Sequence, residues 1–192
     1  SESGVDIFRP NGPGVFIKEG ETWDYMSSHT DNGLFSNVIF GVSTDAQNGL
    51  WSSGFYGTMY YDGTDWTYYD ETDGLAHRYS WKIHAATNGT VWFGTTDGVS
   101  YLQDGEFNTY GAIPEYLGED IYEDRDGNIW FGSYNFLQDE FMGGILQYNG
   151  EDFNFFPMDT TTIQGINLGF AQGPDDMVYA NTMGFVNQLI RY

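Results

Sequence analysis

Hydrophobic and polar residues alternate along this chain in short runs, and glycine marks the breaks between them. Four hairpin-like units stand out: Lys18-Glu19-Gly20-Glu21-Thr22-Trp23, Asp62-Gly63-Thr64-Asp65-Trp66, Asp104-Gly105-Glu106-Phe107 and Asn149-Gly150-Glu151-Asp152-Phe153. An Asx-Gly pair between aromatic or β-branched runs predicts a type I′ turn, because both central residues must take positive φ. A short strand opened by glycine precedes each turn: Gly14-Val15-Phe16-Ile17, Gly57-Thr58-Met59-Tyr60-Tyr61, Gly98-Val99-Ser100-Tyr101 and Gly144-Ile145-Leu146-Gln147-Tyr148. Another copy, Gly184-Phe185-Val186, begins near the C-terminus. No stretch keeps a 3.6-residue period, so the chain reads as all-β with very little helix.

A second element comes before each of these strands. It reads Asn48-Gly49-Leu50-Trp51, Asn88-Gly89-Thr90-Val91-Trp92-Phe93-Gly94-Thr95 and Asp126-Gly127-Asn128-Ile129-Trp130-Phe131-Gly132-Ser133, with a degenerate copy at Asp175-Asp176-Met177-Val178-Tyr179. Its aromatic anchors step by 41, 38 and 49 residues, and the strand-opening glycines by 43, 41, 46 and 40. Four short strands in such a period describe a β-propeller blade. With the strands labelled A (innermost) to D (outermost), strand A also keeps step. Val42, Ile83, Ile121 and Phe170 stand nine residues before the anchors, and Phe40, Trp81, Glu119 and Leu168 eleven before. Alternate apolar positions are what a packed sheet face requires, and Glu119 is the exception. It reads either as a buried carboxylate or as a sign that the register slips at Leu117-Gly118.

The chain thus reads as one β-propeller domain or fragment of about four and a half blades. Their approximate bounds are 1–30, 31–72, 73–112, 113–160 and 161–192. The count is 18 strands, from a B-like strand at Val5–Phe8 to a C strand at Ile190-Arg191-Tyr192. The first blade lacks an inner strand and the last an outer one. The chain therefore reads as a piece of a larger propeller, or as one that closes irregularly or by pairing with another copy through its end blades, since exposed strand edges invite pairing.

The run Ile121-Tyr122-Glu123-Asp124-Arg125-Asp126-Gly127-Asn128-Ile129-Trp130-Phe131-Gly132-Ser133 resembles the two-component regulator propeller repeat. So do Gly33-Leu34-Phe35-Ser36-Asn37-Val38 and Gly74-Leu75-Ala76. The resemblance implies a periplasmic or extracellular ligand-sensing β-propeller of bacterial type, often one that recognises carbohydrate breakdown products. Similar repeats occur in surface proteins without a kinase. Streptogramin-inactivating lyases share a similar Trp-Phe strand, but their catalytic residues find no match here.

Charge then narrows the partners. The 28 acidic residues against 6 Lys and Arg give a net charge of −22, which repels nucleic acid and anionic lipid. No apolar run reaches the roughly 18 residues of a spanning helix, so no membrane insertion is expected. The 36 aromatic residues need burial and argue for a folded chain. Without cysteine there is no disulfide and no thiolate chemistry.

Candidate chemistry gathers in three places. Lys82 and Asp120 occupy matching positions on adjacent inner strands, with His84 and Glu119 close by. They either line the channel and orient a polar ligand or tie the blades together. Tyr56, Tyr134 and Phe136 fall in B–C loops, where aromatic faces stack on sugar C–H surfaces or meet a protein. The segment 134–142 is the longest of these loops and is rich in Tyr, Phe, Leu and Met. Asp124 and Asp126 alternate as in a calcium loop, but the downstream bidentate Glu is missing. A plain turn is expected there, with at most adventitious Ca²⁺ and no cofactor. The three histidines, His29, His77 and His84, show no metal-ligand spacing. The reading that follows is a non-enzymatic exported module. It binds a small polar ligand, carbohydrate included, or a protein partner through its loop face. The alternatives are an assembly module of a larger surface protein and, more remotely, a propeller lyase or hydrolase.

Overall fold

Runs that alternate in polarity and end in glycine turns fold back on themselves as antiparallel meanders. The structure, a computed structural model, describes residues 14–27, 34–36, 38–111, 117–135, 142–157, 166–183 and 189–191. These hold 17 strands and no helix. Strands β3 (Ile39–Thr44), β4 (Leu50–Gly54), β5 (Gly57–Tyr61) and β6 (Trp66–Tyr69) form one four-stranded sheet in that order. The second contains β7 (Ser80–Ala85), β8 (Val91–Thr95), β9 (Gly98–Gln103) and β10 (Glu106–Tyr110). The third contains β11 (Leu117–Glu123), β12 (Ile129–Asn135), β13 (Met142–Tyr148) and β14 (Phe153–Pro157). Before them, β1 (Val15–Glu19) pairs with β2 (Thr22–Met26). After them come β15 (Ile166–Gln172), β16 (Val178–Met183) and β17 (Leu189–Arg191). The expected strand at Val5–Phe8 lies outside the described residues.

The first strands of successive sheets, β3, β7, β11 and β15, lie side by side, so the sheets stack like blades around an axis. The core is made between sheets. Trp51 of β4 packs against Ile83, Val91 and Phe93 of the next sheet. Trp92 of β8 packs against Ile121, Ile129 and Phe131. Trp130 of β12 packs against Val178 and Ala180, with Phe170 alongside. Each anchor thus fills the joint between two sheets, where large aromatic area is removed from water. Ile83 and Ile121 are 7 % and 8 % exposed in these joints, whereas the equivalent Val42 on β3 is 54 % exposed.

The glycines that open the C strands have a steric cause. At Gly98 φ is +118°, and an added Cβ would lie 2.6 Å from the carbonyl oxygen of Tyr110 at the end of strand D. The C–D turns are more varied than the expectation of type I′. Asp104 and Gly105 both take positive φ (54° and 82°) and fit it, but Asp62 and Asn149 do not join their glycines in that region. At those two turns a four-residue loop forms instead. The Asp62 carboxylate accepts the amides of Thr64 and Asp65, and Asn149 Oδ1 accepts those of Glu151 and Asp152.

Strand A carries a further departure. Each inner strand shifts register once near its start: between Ile39 and Gly41, Ser80 and Lys82, Leu117 and Ile121, and Asn167 and Gly169. The residues eleven before the anchors therefore sit in bulges, not in a continuous alternating face. Glu119 is no exception to the pattern, since its backbone falls in the same irregularity as Phe40, Trp81 and Leu168.

Candidate functional site

The turns between strands A and B repeat one hydrogen-bonded loop. The amides of Asp45, Ala86, Asp124 and Gly173 donate to the carbonyls of Gly49, Thr90, Asn128 and Met177. In the third four-stranded sheet Asp124, only 7 % exposed, braces this loop from inside. Its Oδ1 accepts the amides of Asp126 (3.0 Å) and Asn128 (2.9 Å). Its Oδ2 accepts Asn128 Nδ2 and Trp130 Nε1, both at 2.8 Å. Asp45 does the same for Gln47, Gly49 and Trp51 Nε1. The carboxylate that resembled a calcium ligand is therefore a turn brace, and Asp126 is exposed beside it. Among the described residues no three His, Asp or Glu side chains converge on a metal position.

Beside this turn lies an open cavity of about 250 Å³ lined by Thr87, Tyr122, Glu123, Asp124, Arg125 and Gly127. Its polar groups tie one blade to the next. Glu123 accepts the amide and hydroxyl of Thr87 and lies 3.3 Å from His84 Nε2. Arg125 reaches the following sheet, donating to the Gly173 carbonyl and to Asp176 at 2.7 Å. Ser43 Oγ accepts the amide of Ala85 in the same manner.

Asp120 crosses to β15, where it accepts the amide of Phe170 at 3.1 Å. Burial pushes its carboxyl above the ordinary aspartate value, against the pull of that amide and of Lys82 and His84. Lys82 acts on Asp120 through its charge, and the two form no ion pair within 4 Å. Burial also pushes Glu123 upward, but Thr87 and His84 outweigh it and leave the carboxyl below the ordinary glutamate value.

These shifts have opposite signs in stability. Glu123 stabilises the fold above its unfolded value, and the contribution is lost as pH falls through the lowered one. Asp120 favours the fold only in acid, and that benefit is lost as pH rises through the raised value. Asp120→Asn is thus expected to be more stable than the parent at pH 7, and Glu123→Gln less stable. Both differences should fade toward about pH 3, below the usual carboxylate range. Urea unfolding between pH 3 and 8 reads both, and a loss of stability in Asp120→Asn at neutral pH would contradict the assignment.

The opposite end of the sheets carries the B–C turns and the D–A connections, and here the aromatic residues reach solvent. Tyr56, 52 % exposed, sits with Phe55 in the two-residue turn between β4 and β5. Phe55 packs edge-on against Phe40 (4.6 Å between ring centroids) and Tyr79 (5.4 Å). The bulge residues Phe40 and Trp81 stack on one another at 5.0 Å, and Trp81 Nε1 donates to Thr96 Oγ1. His77 meets Tyr79 edge-on, and the Arg78 guanidinium lies 5.6 Å from the Tyr79 ring centre. On the other side, the Tyr68 hydroxyl donates to the Tyr56 carbonyl, and Phe35, 62 % exposed, packs on Tyr68. The result is an aromatic belt across two sheets, made of two ring groups joined through the Tyr68–Tyr56 hydrogen bond.

The residues singled out in the sequence therefore separate into two groups. Lys82, His84 and Asp120 lie together between inner strands, while Tyr56 belongs to the belt. Tyr134 is not in a loop, because the β12–β13 ladder continues to Tyr134–Gly143 and Asn135–Met142. The additional residues lengthen the hairpin. Phe136, His29 and the side chains of Tyr134 and Glu119 lie outside the described residues. Phe40, Phe55, Trp81 and Tyr79 were missed as surface candidates. The signal available was the cluster of aromatics at the starts of strands A and at the B–C turn.

Stacked four-stranded antiparallel meanders joined through aromatic anchors define the chain as a β-propeller. The family model for the two component regulator propeller matches residues 115–135. That match spans β11, the Asp124 turn and β12. The chain is similar to the extracellular domain of the putative hybrid two component system BT3049 from B. thetaiotaomicron (18 % identity, TM-score 0.73, 94 % of this chain covered). It is also similar to the extracellular domain of the putative one component system BT4673 from the same organism (16 % identity, TM-score 0.66, 88 % covered). A third similar structure is PorZ, a surface component of the type-IX secretion system of Porphyromonas gingivalis (16 % identity, TM-score 0.62, 93 % covered). The chain spans 25 %, 22 % and 28 % of those three chains. A search of curated protein sequences finds no match.

Proposed function

We propose that this chain contributes a recognition surface to an exported β-propeller, without catalysis of its own. It binds a small polar ligand, such as an oligosaccharide, or a protein partner on the face that carries the B–C turns. The observation that carries this reading is the aromatic belt. Phe35, Phe55 and Tyr56 are exposed large side chains held on a rigid scaffold, an arrangement suited to contact and costly in water if left uncovered. The ionisable groups that the fold brings together are instead engaged in bracing, with Glu123 held by Thr87 and Asp120 by the Phe170 amide. That suits a scaffold better than a reaction centre. The similar structures named as extracellular domains and as a surface component support an exported setting.

Tryptophan fluorescence and thermal shift against soluble oligosaccharides and peptides test the reading. Ligands are expected to perturb Trp81, and Phe55→Ala with Tyr56→Ala is expected to weaken binding at least tenfold while the chain stays folded by circular dichroism. Binding that ignores both substitutions would place recognition elsewhere and end this reading.

A further inference from the structure

The composition of the belt says more about what covers it, on the reading that this face binds at all. Sugar recognition needs hydroxyl partners around each stacking ring. Here the most exposed members are Phe35 at 62 %, Tyr56 at 52 % and Phe55 at 37 %, and only Tyr56 among them has a side-chain hydrogen-bonding group. The rings fall in two groups, Phe35 on Tyr68 and Phe55 with Phe40 and Trp81, tied together by the Tyr68 hydroxyl bond to the Tyr56 carbonyl. Exposed aromatic and apolar side chains of this kind are what the centre of a protein interface contains.

The rim supplies the charge. Asp70, Glu71 and Asp73 stand in the D–A connection that follows Tyr68, and all three are close enough for their fields to act on the Tyr68 hydroxyl. Glu71 is fixed there by accepting the Arg78 amide at 2.8 Å, and Asp70 by the amide and hydroxyl of Thr72. Opposing them in the belt is Arg78, over Tyr79. The net charge of −22 extends the same sign over the whole molecule. An occupant of this belt therefore meets an apolar centre and an acidic margin.

We infer that the belt docks a protein segment of opposite chemistry, basic with apolar anchors, in preference to an oligosaccharide. The test titrates the full chain with four probes, followed by tryptophan fluorescence. They are a peptide of alternating lysine and leucine, one of lysine and serine, one of glutamate and leucine, and a glucose hexasaccharide. The lysine–leucine peptide is expected to bind at least tenfold more tightly than the others, and to weaken as salt is raised. Phe35→Ser with Phe55→Ser should remove that advantage while the circular dichroism stays that of the folded chain, with a lower melting temperature from the lost ring contacts. Equal binding of the lysine–serine peptide would reduce the attraction to net charge and overturn the inference. So would indifference to the paired substitution, equal binding of the glutamate–leucine peptide, or no binding of the lysine–leucine peptide. Tighter binding of the hexasaccharide, lost in the same variant, would also overturn it, yet leave the loop face as the recognition surface.

Discussion

Trp92→Ala is expected to destabilise the protein by about 3–5 kcal/mol, the range for an aromatic core residue that cannot be refilled. The ring is 1 % exposed and lies at the joint between the second and third four-stranded sheets. It contacts Tyr101 and Tyr148 at 4.8 and 5.0 Å between centroids, and Phe131 at 5.5 Å. Removing it opens a void whose walls belong to two sheets, so neither can close it without moving the joint. The conservative change discriminates further. Trp92 Nε1 is buried and finds no acceptor among the described residues, because Ala86 stands where Asp45 and Asp124 stand in the flanking sheets. Trp92→Phe loses area but also removes a buried unpaired donor, so its cost should be below about 1.5 kcal/mol. Urea unfolding of both variants checks this, and a Phe variant as damaged as the Ala variant would show that the indole N–H does have a partner.

The second large effect is expected at Asp124→Ala, about 3 kcal/mol. Four N–H donors converge on this carboxylate, and hydrogen bonds to a charged acceptor contribute more than neutral ones. Turn amides can turn to water, but the Trp130 indole sits at 6 % exposure and cannot. Asp45→Ala should cost roughly half as much by the same principle, since Asp45 is half-buried and its contact with Trp51 Nε1 is longer, 3.2 Å. Parallel denaturation curves decide the matter. Equal and small losses at both sites would mean that the turns hold themselves without their aspartates. Added calcium is not expected to stabilise the parent relative to Asp124→Ala, because the parent's carboxylate oxygens already have donors.

The blade period was legible because aromatic anchors and strand-opening glycines recur for steric reasons that a single sequence displays. Trp51, Trp92 and Trp130 fill equivalent joints between successive sheets, and Gly98 leaves room for a carbonyl. Of the bulges only the slip at Leu117-Gly118 was legible, as one of two readings of Glu119. An inserted residue that is itself apolar, as Phe40 and Trp81 are, keeps the alternation looking intact while the backbone slips past it. The turn at Asp124 was legible from its Asp-Gly chemistry, but the bracing role of its carboxylate was not. Its neighbours in sequence suggest a cation, and only the fold brings the Trp130 indole to its second oxygen. The belt drew its members from a strand start, a tight turn and a connection, segments too far apart for local patterning to associate. The pairing of His84 with Glu123 across sheets was hidden for the same reason, since 39 residues separate them.

The slipped residue near the start of every inner strand has a consequence for how this architecture changes over time. Because that residue stands outside the regular ladder, its identity is uncoupled from the alignment of the strands behind it. Phe, Trp, Glu and Leu occupy the position in successive units of this one chain. Such a place behaves as a socket: a lineage can exchange what it presents at the rim, one unit at a time, and inherit the frame untouched.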